Sequence, residues 1–367
     1  MPMRRTLLGT LLLVAIPMAG AATGQDAMPP APAPAVPVID TPADAAGSPC
    51  PARPDAAAVP DDPQASTPRA VNRIAVTFDD LPWVMDRNQA PPDLAEHHAR
   101  LLSALKQACV PVIGFVNDGK LYAHDTLRSE RLRMLEDWLD AGFELGNHTA
   151  WHSDLHAVGL AAFQADILDG ERHLRPLLAE RGLEPRWFRH PFLRTGRSPQ
   201  DKAAMDAFLG AHGYRTAPVT INSSEWIYAL AYRNVLNDGA DAATLAKIRQ
   251  AYVDYMVSKV GYYERRSMQL LGYRVPQVLL LHVNELNAAA FSELVARIRA
   301  RDYRFVGLDE ATSDPAFLRR DDFAGELGTS WIHRWAKTEN RPETFFFGET
   351  ATPRWVKQLA GVAAGVE

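Results

Sequence analysis

The chain has 367 residues, 47% of them hydrophobic, enough to bury one large core or two smaller ones. Its formal net charge of −5 leaves no basic footprint for a nucleic-acid partner. Two cysteines, Cys50 and Cys109, are too few to staple a small secreted scaffold, so the core must hold itself together and both read as structural or incidental.

Residues 1–22 read as a secretory signal: Arg4 and Arg5 form the positive region, "TLLGTLLLVAIPMAG" the apolar core and "AGAA" a small-residue cleavage site. A membrane anchor is the competing reading, but the apolar stretch falls short of the ~20 residues a spanning helix needs. No stable anchor is expected after cleavage, and the protein is expected to be exported, periplasmic or secreted. The Arg pair leaves Sec and twin-arginine export both open. Residues 23–70 are dominated by Ala, Pro and Asp, as in "PPAPAPAVPVIDTPADAAGSP". Such a segment cannot bury enough apolar surface to offset its ordering entropy, and reads as a disordered linker.

From residue 71 onward, strand and helix patterns alternate. "RIAVTFD", "VPVIGFVN", "GFELGNH", "PRWFRHP", "YRTAPVTI", "QVLLLHVN" and "YRFVGLD" are apolar runs of strand length. Between them lie helical patterns: "LAEHHARLLSALKQA", "RLRMLEDWLDAG", "FQADILDGERHLRPLLAERG" and "DAATLAKIRQAYVDYMVSKVGYYERRSMQLLG". The alternation predicts an α/β fold with a parallel sheet and helices packed outside it. About seven such units suggest a barrel-like closure, with an open doubly wound sheet as the alternative. No glycine-rich fingerprint follows the first strand, so a dinucleotide site is not supported. The stretch after Thr312 contains "SWIHRWA" and "ETFFFGE" and carries no pattern that assigns it a role.

The polar residues that stand out lie at predicted strand ends. The first strand runs into Asp79 and Asp80, two like charges on neighbouring residues. The third ends at His148, with His152 four positions on; on a helical turn that spacing puts both imidazoles on one face, able to share a metal. His156 follows four positions later, a third ligand or a lip residue, the lip being favoured. The fourth strand ends at Arg189, before a rigid Pro turn, and the sixth at His282. One carboxylate and two neutral imidazoles make a three-ligand site with an open position for water. The other carboxylate is then free to act as general base and the remaining His to protonate a leaving amine. Adjacent strand residues point in different directions, so one Asp can face a metal while the other faces the water.

These residues resemble the polysaccharide deacetylase family of the NodB homology type, carbohydrate esterase family 4. The motifs fall in the family's order: "TFDD" at 77–80, "HTAWH" at 148–152, "RHPF" at 189–192, "NSSEW" at 222–226 and "LLH" at 280–282. The resemblance covers about residues 71–312, read as the catalytic domain, with 313–367 as a C-terminal extension. It implies a deformed (β/α) barrel of about seven strands. It also implies Asp79 as general base, His282 as general acid, and Asp80, His148 and His152 around a divalent metal, zinc foremost. Arg189 would orient Asp79 and keep it ionised, and the Phe192 backbone N–H would face the oxyanion. Leu280 and Trp226 would line a pocket for the acetyl methyl.

Three departures from the family pattern stand out. Leu81 and Pro82 replace a glycine after the acids, Phe192 replaces a tyrosine, and Asn222 and Glu225 replace two acids. Glu225 is therefore expected among the substrate-binding residues, reaching Arg189 by a different geometry. The implied reaction is metal-assisted removal of N-acetyl groups from an amino-sugar glycan of the cell envelope or extracellular space, with release of acetate. Trp83 and Trp151, each beside a motif, are either core residues or platforms for sugar rings. The competing functions are another metal-dependent amidohydrolase (a deformylase, or an imide or ureide hydrolase) and a non-catalytic glycan-binding module.

Overall fold

Residues 71–239 and 241–367 are described by the structure, a computed structural model. The expected signal segment, the linker and Cys50 lie outside these residues. Nine strands are found among them: β1 Asn72–Leu81, β2 Val112–Val116, β3 Tyr122–Ala123, β4 Thr126–Leu127, β5 Glu144–Asn147, β6 Trp187–Phe188, β7 Arg215–Thr216, β8 Gln277–His282 and β9 Tyr303–Phe305. β3 and β4 form a small antiparallel hairpin. The other seven make one parallel sheet in the order β7-β6-β5-β2-β1-β8, with β9 paired to the start of β1.

The sheet curls into a deformed barrel. Beyond β7 the chain continues to β8: the backbone N–H groups of Thr220 and Ile221 donate to the Val278 carbonyl, and Ile221 bridges to Leu279. Central strands are buried on both faces, as a parallel sheet sheathed by helices requires, and β2 is buried at every position. Helices cover the outside. In Leu94–Ala108 the residues Leu94, His98, Leu101, Leu105 and Ala108 recur at helical spacing and form the buried face. The long helix Ala242–Leu271 starts on an Asp241 side-chain cap and stops at Gly272 in the left-handed region.

The predicted strands are all present, and the helix expected over 94–108 forms over those residues. The helical run expected over 163–182 is divided into Leu160–Asp169 and Leu174–Ala179. At the break, a Cβ on Gly170 would lie 2.8 Å from Asn147 Oδ1 and 2.9 Å from the Thr149 carbonyl carbon, so only glycine lets the chain pass the end of β5. Residues Trp331–Thr338 and Arg354–Ala360 are helical, and all described residues fall in one compact unit. Cys109, which the sequence leaves without a role, is disulfide-bonded. No helix among the described residues is long and apolar enough to cross a membrane.

Candidate active site

A parallel barrel delivers every strand's C-terminal end to the same rim, and the notable polar residues gather there. The register of β1 against β2 shifts between Phe78 and Leu81, and Asp80 takes a left-handed backbone (φ 76). This bulge, rather than simple strand alternation, turns Asp79 and Asp80 onto different partners. Leu81, in place of the family's glycine, stays in the strand and fills the space over Gly114, where a Cβ would come within 2.6 Å of it.

Asp79 is buried against Arg189, whose Nη1 lies 3.3 Å from both carboxylate oxygens. Arg189 is itself fully buried and satisfied. Its Nη2 donates to Thr77 Oγ1 at 3.0 Å, its Nε to the Ala217 carbonyl at 3.1 Å, and its guanidinium stacks on Phe115. Arg189 favours the ionised form of Asp79, as its charge requires, but it works against burial. Burial outweighs the guanidinium and pushes the Asp79 carboxyl up to about 6, so it is a carboxylate at neutral pH but a weaker acid than an exposed one.

His148 and His152 do not lie on a helical turn. They sit in an irregular loop after β5 in which Thr149 and His152 are left-handed, and Thr149 Oγ1 accepts the His152 N–H at 2.9 Å. The loop still brings the rings to 4.9 Å between centroids. His148 donates its Nδ1–H to the Arg189 carbonyl at 2.7 Å, which turns Nε2 inward, 3.8 Å from Asp79 and 4.0 Å from Asp80. His152 Nε2 is 3.6 Å from Asp80 Oδ1.

One donor atom each from Asp80, His148 and His152 all lie within 4.8 Å of one another. Three features of this set fit a divalent cation. Asp80 Oδ1 is buried yet lacks a hydrogen bond, although Lys120 Nζ approaches it at 3.0 Å. Burial holds both imidazoles below their ordinary pKa, so they are neutral ligands. Asp80 is held well below the carboxylate range: burial opposes its charge, but nearby positive groups, the Lys120 ammonium first, outweigh it. Lys120 beside the donor set is a residue sequence reasoning missed, since no motif contains it. His156 stands outside the set, with Nδ1 facing the Glu326 carbonyl at 3.4 Å.

The largest departure concerns Glu225. It does not reach Arg189, and at 1% exposure it does not line the cavity. Oε2 instead accepts from His282 Nδ1 at 2.7 Å, while Oε1 accepts from Asn284 Nδ2 at 2.6 Å and Asn287 Nδ2 at 2.7 Å. Burial disfavours a charged imidazole, but Glu225 more than compensates and raises His282 to about 9. Asn284 caps the helix after β8 by accepting the backbone N–H of Asn287 in its first turn, and the side chains of both reach Glu225.

Asp79, Asp80, His148, His152 and His282 line a cavity of about 740 Å³. Phe192, Leu280 and Trp226 line it too. Phe192 is left-handed (φ 57), exposed, and edge-on to the His152 ring. Of the two tryptophans in question, Trp83 is core, fully buried with Nε1 on Glu285; Trp151 is half exposed, under the Arg87 guanidinium. Part of the remaining wall comes from Leu327, Gly328, Glu349–Ala351 and Glu367, in the stretch that sequence left without a role.

A family model for polysaccharide deacetylase matches residues 67–214. Solved structures similar to the chain include a family 4 carbohydrate esterase from Streptomyces lividans, at 17% identity and TM-score 0.41, covering 65% of this chain and 95% of that one. A polysaccharide deacetylase from Bacillus cereus matches at 17% identity and TM-score 0.44, covering 64% and 91%. A variant of a carbohydrate esterase family 4 pseudoenzyme from Bacillus anthracis, with restored activity, matches at 16% identity and TM-score 0.43, covering 66% and 68%. No curated protein matches the chain by sequence.

Proposed function

We propose, from the premise that the chain is a polysaccharide deacetylase family member through residues 67–214, that it is a metal-dependent hydrolase of N-acetyl groups on amino sugars. The observation that carries this reading is the single cavity in which the Asp80, His148 and His152 donors face a base candidate, Asp79, and an acid candidate, His282. In this reading Asp80, His148 and His152 hold the ion, with zinc favoured by two imidazoles and one carboxylate. Such an ion supplies Lewis acidity, polarising an amide carbonyl and making water acidic near pH ~7.

The chain's own residues do the rest. Asp79, held in place by Arg189, takes the proton from the attacking water. The Phe192 backbone N–H, on the left-handed turn at the cavity wall, is assigned to the oxyanion of the tetrahedral intermediate; such a preorganised donor is worth about 3–4 kcal/mol. His282, charged because Glu225 accepts its Nδ1–H, gives its Nε2 proton to the departing amine as the C–N bond breaks. Leu280 and Trp226 bound the space for the acetyl methyl. A longer acyl group is disfavoured by fit, since one methylene in such a pocket is worth roughly 1–3 kcal/mol.

Export is part of the same proposal. The signal-like residues 1–22 and the disulfide at Cys109 both suit an oxidising compartment outside the cytosol, where envelope glycans lie. The test is acetate release from chitin oligomers and peptidoglycan fragments. Acetate and a new amine in equal amounts support the reading. Hydrolysis of a formamide or a cyclic imide, with no acetate from any glycan, moves the protein to another amidohydrolase class.

A further inference from the structure

Part of the cavity wall, Leu327, Gly328, Glu349, Thr350, Ala351 and Glu367, lies well beyond the family-matched segment. Gly328 lies so close to the Phe192–Leu193 turn that a Cβ there would meet the Phe192 carbonyl oxygen at 1.9 Å, so this stretch of chain seats directly on that turn. Farther along, Glu349 lines the cavity beside Lys259, which also lines it, and is held by two donors. Lys259, buried on the helix Ala242–Leu271 and beneath the Tyr255 ring, donates its Nζ to Glu349 Oε1 at 2.7 Å. The Tyr263 hydroxyl donates to the same oxygen at 3.1 Å. Among the described residues no hydrogen bond reaches Oε2. A charged carboxylate is thus fixed by two donors on one oxygen, with the other left on the wall of a cavity that also carries a half-exposed Trp226.

We propose, resting on the deacetylase reading above, that Glu349 is a specificity-determining residue whose free oxygen accepts hydrogen bonds from the hydroxyls of a sugar unit next to the reacting acetamide. An ionised carboxylate accepts stronger hydrogen bonds than a neutral group, and sugar hydroxyls are good donors at neutral pH. An N-acetylated amine without a sugar meets the metal donors, Asp79 and His282 but never reaches Glu349.

Glu349→Gln and Glu349→Asp together separate this role from a structural one. Lys259 and Tyr263 are both donors, so they retain the amide oxygen and leave the amide NH2 facing the cavity, where it turns an acceptor into a donor. Glu349→Asp keeps the charge near Lys259 but withdraws the free oxygen from the cavity. In both variants the KM for acetate release from an N-acetylated oligosaccharide, and its Kd by calorimetry, should rise roughly tenfold to a hundredfold, as for hydrogen bonds lost to a charged acceptor. The kcat and turnover of a simple N-acetylated amine should be unchanged in both variants. Glu349→Gln, which leaves the buried Lys259 without its counter-charge, should also lower the melting temperature, so Glu349→Asp, which keeps that charge, is the variant that separates binding from stability. Unchanged KM and Kd in both variants, or equal losses on sugar and non-sugar substrates, overturn the assignment. If the wild type releases no acetate from any glycan, the deacetylase reading fails, and the Kd comparison still decides Glu349. Absence of any oligosaccharide binding by the wild type overturns both.

Discussion

His282 donates its Nδ1–H to Glu225 at 2.7 Å, a contact between residues 57 positions apart that makes the imidazole a stronger base than an ordinary histidine. Replacing Glu225 by Gln removes the charge but keeps a group that can accept from Nδ1. The His282 pKa should fall, because the main interaction that raises it is lost. The alkaline limb of the kcat profile should then move to lower pH, with turnover above that limb reduced about tenfold per pH unit of displacement. A pH–rate profile of wild type and variant, with an NMR titration of the ring, measures the shift. An unmoved limb contradicts the role of His282 as the acid.

Asp79 and Asp80 should separate cleanly. Asp79→Asn should lose about 10²–10⁴-fold in kcat while still binding one divalent ion. Asp80→Asn should lose the ion itself, because it removes the anionic member of the donor set. Metal content beside turnover for each variant checks this. An Asp79→Asn protein without metal and an Asp80→Asn protein with it would exchange the two roles.

Removal of Arg189 should act on Asp79 in a definite direction. The guanidinium lowers the Asp79 pKa against a larger effect of burial, so Arg189→Met should raise it further above about 6. The acidic limb of kcat/KM should move upward. Breaking a buried pair also leaves a carboxylate without its counter-charge, at a cost of about 3–5 kcal/mol in stability. Denaturant melts and a pH profile give the two readouts.

Much of this site was legible because it depends on short stretches of chain. The apolar run of β1 leads into its two acids, and His148, Arg189 and His282 each follow a strand-length run, so a parallel barrel places them together. What was not legible depends on long-range contacts or on single backbone angles. The left-handed Asp80 and His152 leave no periodicity to read. Glu225 occupies a position where an acid that pairs with Arg189 is expected, and only the fold shows that its buried neighbours are His282, Asn284 and Asn287. The wall after Thr312 is fixed by pairs such as Lys259 and Glu349, 90 positions apart, in segments whose local pattern is too short to interpret.

Acid should weaken the fold through two buried histidines, His190 and His333, that are not among the metal donors. Burial, reinforced by nearby cations, lowers His190 to about 3; burial lowers His333 to about 4. Both are neutral in the folded chain but take up a proton when unfolded, near pH 6.5. The unfolded state therefore binds more protons between these values, and stability present above about pH 6.5 is lost as pH falls toward 4. Each group contributes up to about tenfold in the folding equilibrium per pH unit within its window. Urea midpoints across pH 7 to 4 should fall, and His333→Phe or His190→Phe should flatten the slope. An equal slope in all three proteins would contradict the assignment.

The most direct measurement strips the protein of metal, returns zinc in measured steps, and follows bound ion and acetate released from an N-acetylated oligosaccharide in the same samples. One ion per chain should bind, and acetate release should rise from near zero in proportion to the bound ion, with Asp80→Asn neither binding nor recovering. Acetate release at the full rate from the metal-free chain, or one bound ion with no amide hydrolysis from any N-acetylated glycan, would contradict the account.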